Sequence, residues 1–248
     1  MARYDFRLQR LFVPTPLALG AEIALEREQA NYLLNVLRLG DGDRVLVFDG
    51  ANGEFLAAVR PAGKRDCRLE IVEKTRDQTP TPTLDWLFAP LKHARLDYMV
   101  QKAVEMGVAR VRPVVTRHTQ VTRVNLERMR ANVIEAAEQC GVIAVPEVLE
   151  PVDLDRLLDR WLLDEAGRRL LYCDEHEETT NPLGLLRDLG PGPLAVLIGP
   201  EGGFSEEERK RLRGLPFVTP IPLGPRILRA DTAAVAALTL VQAVLGDW

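Results

Sequence analysis

The stretch Leu194-Ala-Val-Leu-Ile-Gly-Pro-Glu-Gly-Gly-Phe-Ser-Glu-Glu-Glu208 places an apolar run, a glycine-rich turn and a helix start in direct succession. A short apolar run bounded by turn residues predicts a buried strand, and Ser205 followed by Glu208 has the spacing of a capping box. In an open α/β sheet ligands bind beyond the carboxyl ends of the strands, where Gly199, Gly202 and Gly203 would let backbone approach a ligand closely. The loop is neither G-x-G-x-x-G nor G-x-x-x-x-G-K-[ST], and Glu206 to Glu208 would repel a phosphate at that helix N-terminus. It therefore suits a neutral or cationic ligand better than NAD or ATP. Taken alone, the same residues also read as a plain glycine turn with a helix cap.

Downstream, Val218-Thr-Pro-Ile-Pro-Leu-Gly-Pro-Arg-Ile-Leu-Arg-Ala-Asp-Thr-Ala-Ala234 holds three prolines and Gly224 before a helix, which predicts an irregular loop with Asp231 as the N-cap. Arg226 and Arg229 flank Ile227 and Leu228, so a loop that buries the apolar pair would hold guanidinium groups beside a ligand; exposed arginines near a helix start are the plainer alternative. The helix from Thr232 to Leu245 is apolar nearly all round, which predicts close packing.

Upstream the pattern alternates. Leu84-Asp-Trp-Leu-Phe-Ala89 reads as a strand, followed by a helix with Leu96, Met99, Val100, Ala103 and Val104 on one stripe and Gly107 at its end. Val111 to Val115 is a second strand, Asn125 opens a helix through Cys140, and Leu170 to Tyr172 forms another strand. This alternation predicts an α/β domain with a mostly parallel sheet. Residues before about 76 read instead as short strands, interrupted by a helix over Arg27–Leu37, and Thr79-Pro-Thr-Pro-Thr83 marks a linker. The expected domains are residues 1–77 and 78–248.

The 248 residues, 46% hydrophobic and 27% charged, exclude disordered and fibrous classes. The sequence has no apolar run long enough to span a bilayer, and Met1 to Phe6 lacks a signal-peptide pattern, so the chain is expected in the cytoplasm without a membrane partner. Cys67, Cys140 and Cys173 have no C-x-x-C spacing, and His93, His118 and His176 share no metal-ligand spacing, so no metal is expected. The net charge of −4 conceals an asymmetry: Leu84 to Arg130 has nine Lys/Arg against four Asp/Glu, while Glu147 to Gly190 has five against twelve. A basic face could attract phosphate even though the total charge gives no reason for tight non-specific nucleic-acid binding.

Ile198-Gly-Pro-Glu-Gly-Gly-Phe-Ser-Glu-Glu-Glu208 together with Leu223-Gly-Pro-Arg-Ile-Leu-Arg-Ala-Asp-Thr-Ala233 resembles the signature of the ribosomal RNA small subunit methyltransferase E family, 16S rRNA (uracil-N3)-methyltransferases of the SPOUT superfamily. The resemblance extends through Tyr32-Leu-Leu-Asn-Val-Leu-Arg-Leu39, Phe48-Asp-Gly50, Gln101-Lys-Ala-Val-Glu-Met-Gly107 and Glu135-Ala-Ala-Glu-Gln-Cys-Gly141. It implies a C-terminal SPOUT α/β domain with a deep trefoil knot and a small N-terminal PUA-like RNA-binding β-barrel. It also implies S-adenosylmethionine as methyl donor, a homodimer and 16S rRNA as substrate; the net negative charge suggests the assembled small subunit rather than naked RNA, and no DNA partner is expected.

On that resemblance Tyr172, Ile198, Gly199, Glu201, Gly202, Leu223, Gly224, Ile227 and Leu228 would surround the cofactor. Arg229, with Arg226 second, would stabilise charge on the uracil or orient it. Arg117, Arg38, Lys92, Arg95 and Lys102 are the candidates for contact with RNA, Arg117 alternatively for the dimer partner. Two departures stand out: Val142 replaces an arginine usual after Glu-Gln-Cys-Gly, and Asp231 replaces a usual glutamate. A non-catalytic assembly factor and a related enzyme acting on transfer RNA are the competing readings.

Overall fold

The computed structural model describes residues 7–63, 66–121, 123–174 and 181–248; His176 lies outside them. The chain divides into two compact units, one running to Thr81 and including Ala137–Val145, the other holding Pro82–Ala136 and Pro146–Trp248.

The first unit contains β1 (Arg10–Phe12), β2 (Glu22–Ala24), α1 (Arg27–Asn31), β3 (Arg44–Phe48), β4 (Glu54–Gly63) and β5 (Asp66–Arg76). They form a five-stranded sheet in the order β1-β3-β4-β5-β2, antiparallel except where β1 pairs with β3. Alternate residues Val45 and Val47, Ala57 and Val59, and Leu69 and Ile71 point into one buried core, as the period of two requires. The helix expected over Arg27–Leu37 is shorter and changes form: α1 ends at Asn31 and Tyr32–Val36 is a π-helical segment. Leu39 N–H returns to Leu33 O at 2.9 Å, which forces Arg38 into the left-handed region at φ +58°.

Glu54 holds this unit together. It is 2% exposed and accepts hydrogen bonds from Arg10 Nε at 2.8 Å and from Arg76 Nε and Nη2 at 2.9 and 2.7 Å. The same arginines donate to backbone carbonyls in the returning segment: Arg10 to Ala137, Glu138 and Val142, Arg76 to Gly141. These guanidinium groups meet the last carbonyls of a helix, where the macrodipole favours cations. At Val142, where the resemblance leads one to expect an arginine, the backbone carbonyl is engaged by Arg10.

The second unit continues with β6 (Leu84–Phe88), α2 (His93–Glu105), β7 (Arg110–Val115), α3 (Leu126–Cys140, whose last turn from Ala137 belongs to the first unit), β8 (Glu147–Val148), β9 (Val152–Asp153) and α4 (Leu154–Asp164). It ends with β10 (Arg169–Cys173), α5 (Pro182–Leu189), β11 (Leu194–Ile198), α6 (Glu206–Arg213), β12 (Val218–Ile221) and α7 (Ala230–Leu245). The strand order is β12-β10-β11-β6-β7-β8, with β9 also beside β7, and every pairing is parallel. β11 is buried at all five positions, as a strand covered on both faces must be.

The end of α2 and two of the three predicted caps in this unit hold: Gly107 takes φ +74° after α2, Asn125 Oδ1 accepts Arg128 N–H at 3.0 Å, and Ser205 with Glu208 forms the full capping box. Two expectations at the C-terminal loop need correction. Val218–Ile221 is a strand despite Pro220, because β12 is an edge strand that spares Pro220 a ladder donor. The N-cap of α7 is Arg229 rather than Asp231, whose carboxylate lies inside the first turn and accepts the Thr232 N–H at 2.7 Å.

Candidate functional site

Three neighbouring strands, β12, β10 and β11, point the same way and end at Ile221, Cys173 and Ile198. The loops that leave β11 and β12 converge beside the end of β10, so residues far apart in sequence share one concave surface at the carboxyl edge of the sheet. A cavity of about 230 Å³ is lined there by Ile198, Gly199, Glu201, Ile227, Leu228 and Arg229, together with Cys173, Asp174, Phe204 and Arg209. A neighbouring cavity of about 60 Å³ is lined by Leu223, Gly224, Arg226 and Leu228. Both are bordered by Cys173, Asp174, Leu228 and Ala233.

Gly199 is required by close approach. A Cβ there would stand 2.7 Å from the Phe204 ring, so only hydrogen lets the ring fold back over the end of β11. Gly224 adopts φ +91°, a conformation that side-chain-bearing residues rarely take. Leu228 and the partly buried Leu223 give apolar lining; Ile227 is 87% exposed. Arg226 and Arg229 are exposed, and neither guanidinium has a hydrogen-bond or ion-pair partner among the described residues.

Beneath the cavity lies an ionic network that the sequence did not disclose. The Asp174 carboxylate, 1% exposed, accepts from Arg209 Nη1 at 3.0 Å, Arg213 Nη2 at 2.9 Å and the Tyr172 hydroxyl at 2.5 Å. Arg209 Nε also donates to Phe204 O at 3.1 Å, so Asp174 ties the end of β10 to the start of α6 through the glycine loop. Burial raises the Tyr172 pKa, and its hydrogen bond to Asp174 adds to the shift. Burial, reinforced by Asp174, pushes the Cys173 thiol up to about 12, which keeps it protonated and unreactive. Tyr172 itself does not line the cavity; its ring meets Phe204 edge-on at 5.7 Å and supports the wall from behind. Gly202 also lies off the cavity, against His118.

The candidates for RNA contact are dispersed. Arg95 reaches from α2 to form an ion pair with Glu201 of the glycine loop. Lys102 instead bonds both Glu105 oxygens, at 2.7 and 2.8 Å, and sits over the Tyr98 ring, while Lys92 is exposed at the N-cap of α2. Arg117 borders a separate polar cleft with His118 and Arg211. Arg38 is exposed on the first unit.

A parallel α/β sheet with a loop-built pocket at its carboxyl edge, in a chain that also carries a small β-sheet unit, is the architecture of an RNA methyltransferase with a PUA domain. The family profile for an RNA methyltransferase domain matches residues 78–242, and that for an RNA methyltransferase PUA domain matches residues 25–72. Ribosomal RNA small subunit methyltransferase E of Rickettsia conorii is 30% identical over 238 residues, covering 95% of this chain and 96% of that protein. A Legionella pneumophila methyltransferase solved with its bound cofactor SAM superposes with TM-score 0.85 at 31% identity, covering 98% of this chain and 100% of that one. The Neisseria gonorrhoeae ribosomal RNA small subunit methyltransferase E bound to S-adenosyl methionine gives 0.86 at 28%, covering 97% and 99%. The chain belongs to the ribosomal RNA small subunit methyltransferase E family.

Proposed function

We propose that this protein transfers the methyl group of S-adenosylmethionine to N3 of a uridine in 16S rRNA. The observation that carries this reading is the loop-built cavity at the ends of β10, β11 and β12, with two arginines at its rim that have no partner among the described residues. The two adjoining cavities together approach the lower end of the range for ligand pockets, about 300 Å³. Their lining fits S-adenosylmethionine: Gly199 and Gly224 allow backbone approach, and Leu223 and Leu228 offer apolar walls. When bound, the cofactor supplies an electrophilic methyl group on a sulfonium. Tyr172, Ile198, Gly202 and Ile227 complete the set assigned to this pocket, Tyr172 and Gly202 from behind its wall.

Methylation at N3 requires loss of an imide proton, and the negative charge that develops spreads over the uracil oxygens. Arg229 at the N-cap of α7, with Arg226 second, is placed to stabilise that charge and to orient the base. Holding the base against the cavity mouth adds positional catalysis. RNA contact is assigned to Arg117, Arg38, Lys92, Arg95 and Lys102. Residues 1–77 would act as a PUA-like RNA-binding barrel, and residues 78–248 as a SPOUT domain with a deep trefoil knot.

Two copies would assemble as a homodimer through the exposed Ile227 loop and α7, a helix that keeps half-exposed Val235, Ala236, Leu240 and Val244. The assembled small subunit in the cytoplasm is the expected substrate. Nucleoside mass spectrometry of 16S rRNA from a strain lacking the protein tests the assignment. Loss of 3-methyluridine, restored by the wild-type chain and not by Arg229→Ala, is expected; persistence of the nucleoside in the deletion strain overturns it.

A further inference from the structure

The glycine loop makes few contacts of its own. Between Gly199 and Phe204 the backbone bond closing the turn is Gly203 N–H to Pro200 O at 2.9 Å. Gly203 takes φ +67°, so the segment passes through glycine conformations that an unconstrained chain would leave freely. Arg95 pairs with Glu201 and Arg209 holds Phe204 O, but the Gly202 and Gly203 carbonyls between them are held from the loop after β7.

There His118 Nδ1 stands 3.2 Å from Gly202 O and 3.1 Å from Gly203 O. Carbonyl oxygens only accept, so Nδ1 carries the hydrogen and shares it between the two. The left-handed turn at Gly203 brings both carbonyls to one imidazole. Because each peptide is planar and trans, fixing Gly203 O directs the Phe204 N–H away from the histidine. A Cβ on Gly202 would meet His118 Cβ at 3.4 Å, so the two segments pack directly.

The histidine loop is anchored in turn. Arg117 N–H donates to Glu208 Oε1 at 2.7 Å, while Glu208 Oε2 accepts Ser205 N–H at 2.8 Å in the capping box. Thr119 Oγ1 accepts Thr116 N–H at 2.8 Å and closes the turn that presents His118.

We infer that His118 is a positioning residue for the cofactor: it fixes the Gly202–Gly203 peptides so that the glycine loop is already shaped to receive S-adenosylmethionine. This rests on the reading that the glycine loop holds the cofactor. The side chain acts through the backbone and takes no part in the transfer itself. Losing it should therefore weaken cofactor binding and leave turnover at saturating cofactor nearly unchanged.

Calorimetric titration of the full chain with S-adenosylmethionine, joined to steady-state methylation of small subunits, tests this with three substitutions. In Asn, the amide Nδ2 hangs on Cγ as Nδ1 does in His; in Gln, the amide lies one bond further out. His118→Ala and His118→Gln should raise Kd and KM for S-adenosylmethionine about fivefold to tenfold, the effect of one lost hydrogen bond, with kcat within about twofold. His118→Asn should return Kd to within about threefold of wild type.

Wild-type affinity in His118→Ala overturns the inference, as does an Asn variant no tighter than Gln. A fall in kcat with unchanged Kd also overturns it. If the Ala variant does not fold, the comparison of Asn with Gln decides alone. Should the wild-type chain fail to bind S-adenosylmethionine at all, the cofactor reading itself falls, an outcome distinct from any difference among the His118 variants.

Discussion

Arg38 occupies a position that favours glycine. It follows a π-helical segment and takes φ +58°, the single positive-φ residue other than glycine among those described. A left-handed conformation costs a side-chain-bearing residue roughly 1–2 kcal/mol. The Leu39 N–H bond to Leu33 O holds it there, and its exposed side chain has no hydrogen-bond or ion-pair partner among the described residues, which leaves the guanidinium available to a phosphate. Arg38→Gly should raise stability in urea by about 1 kcal/mol while lowering affinity for 16S rRNA and reducing the salt dependence of binding by about one charge. An unchanged salt slope would remove Arg38 from the RNA surface. Arg229 differs from Arg38 in that its backbone caps α7 while its guanidinium, at the cavity rim, has no partner among the described residues. Arg229→Ala should lower kcat about a hundredfold with cofactor affinity nearly intact, since a donor aimed at developing charge acts mainly in the transition state. Equal losses in kcat and cofactor affinity would instead assign it to binding the cofactor.

At the level of elements, β10 and α6 meet through Asp174, and the cavity wall depends on that joint. Asp174→Ala would remove the carboxylate that Arg209, 10% exposed, shares with Arg213, and would loosen the loop at Phe204 whose carbonyl Arg209 holds. Removing one partner of a buried ion pair typically costs about 3–5 kcal/mol, so denaturant unfolding should show a loss of that order together with loss of S-adenosylmethionine binding. Retained binding in a folded variant would show that the wall stands without the joint. This network was illegible in the sequence for a definite reason: Arg209 belongs to Glu-Glu-Glu-Arg-Lys-Arg-Leu-Arg213, a run that reads as a solvated helix face, and only tertiary packing buries one of its charges. The two glycine-bearing loops were legible because the chain must turn sharply there, and the capping box at Ser205 because its spacing is local. β12 was missed because Pro220 argues against a strand until its edge position is known. The premature end of α1 was missed because Tyr32, Leu33, Val36 and Leu37 keep a helical spacing that the change to π geometry does not disturb.

For the molecule as a whole, the chain leaves its first unit at Thr81 and rejoins it over Ala137–Val145, so the stability of that unit depends on holding a distant segment. Alternation of hydrophobic residues gave the sheet and its core, but no local pattern marks 137–145 as part of it. The holding is electrostatic: Arg10 and Arg76 converge on Glu54 and donate to carbonyls of the returning segment. Burial by itself would raise the Glu54 pKa, but hydrogen bonds from Arg76 and Arg10 outweigh it and hold the carboxyl below its ordinary value of 4.5. A carboxylate with a depressed folded pKa stabilises fully above its unfolded value, and that contribution is lost as pH falls through the folded value. Glu54→Gln should therefore cost about 3–5 kcal/mol at pH 7, because it takes away the buried carboxylate that Arg10 and the partly buried Arg76 share. Lowering the pH converts the wild-type side chain to its neutral form, so the gap between wild type and variant should narrow below the ordinary carboxylate value. Urea unfolding of both chains at pH 7 and through the acid range measures the gap directly, and the difference cancels carboxylates that titrate in both. A gap that stayed constant with pH would show that Glu54 acts through packing and not through its charge.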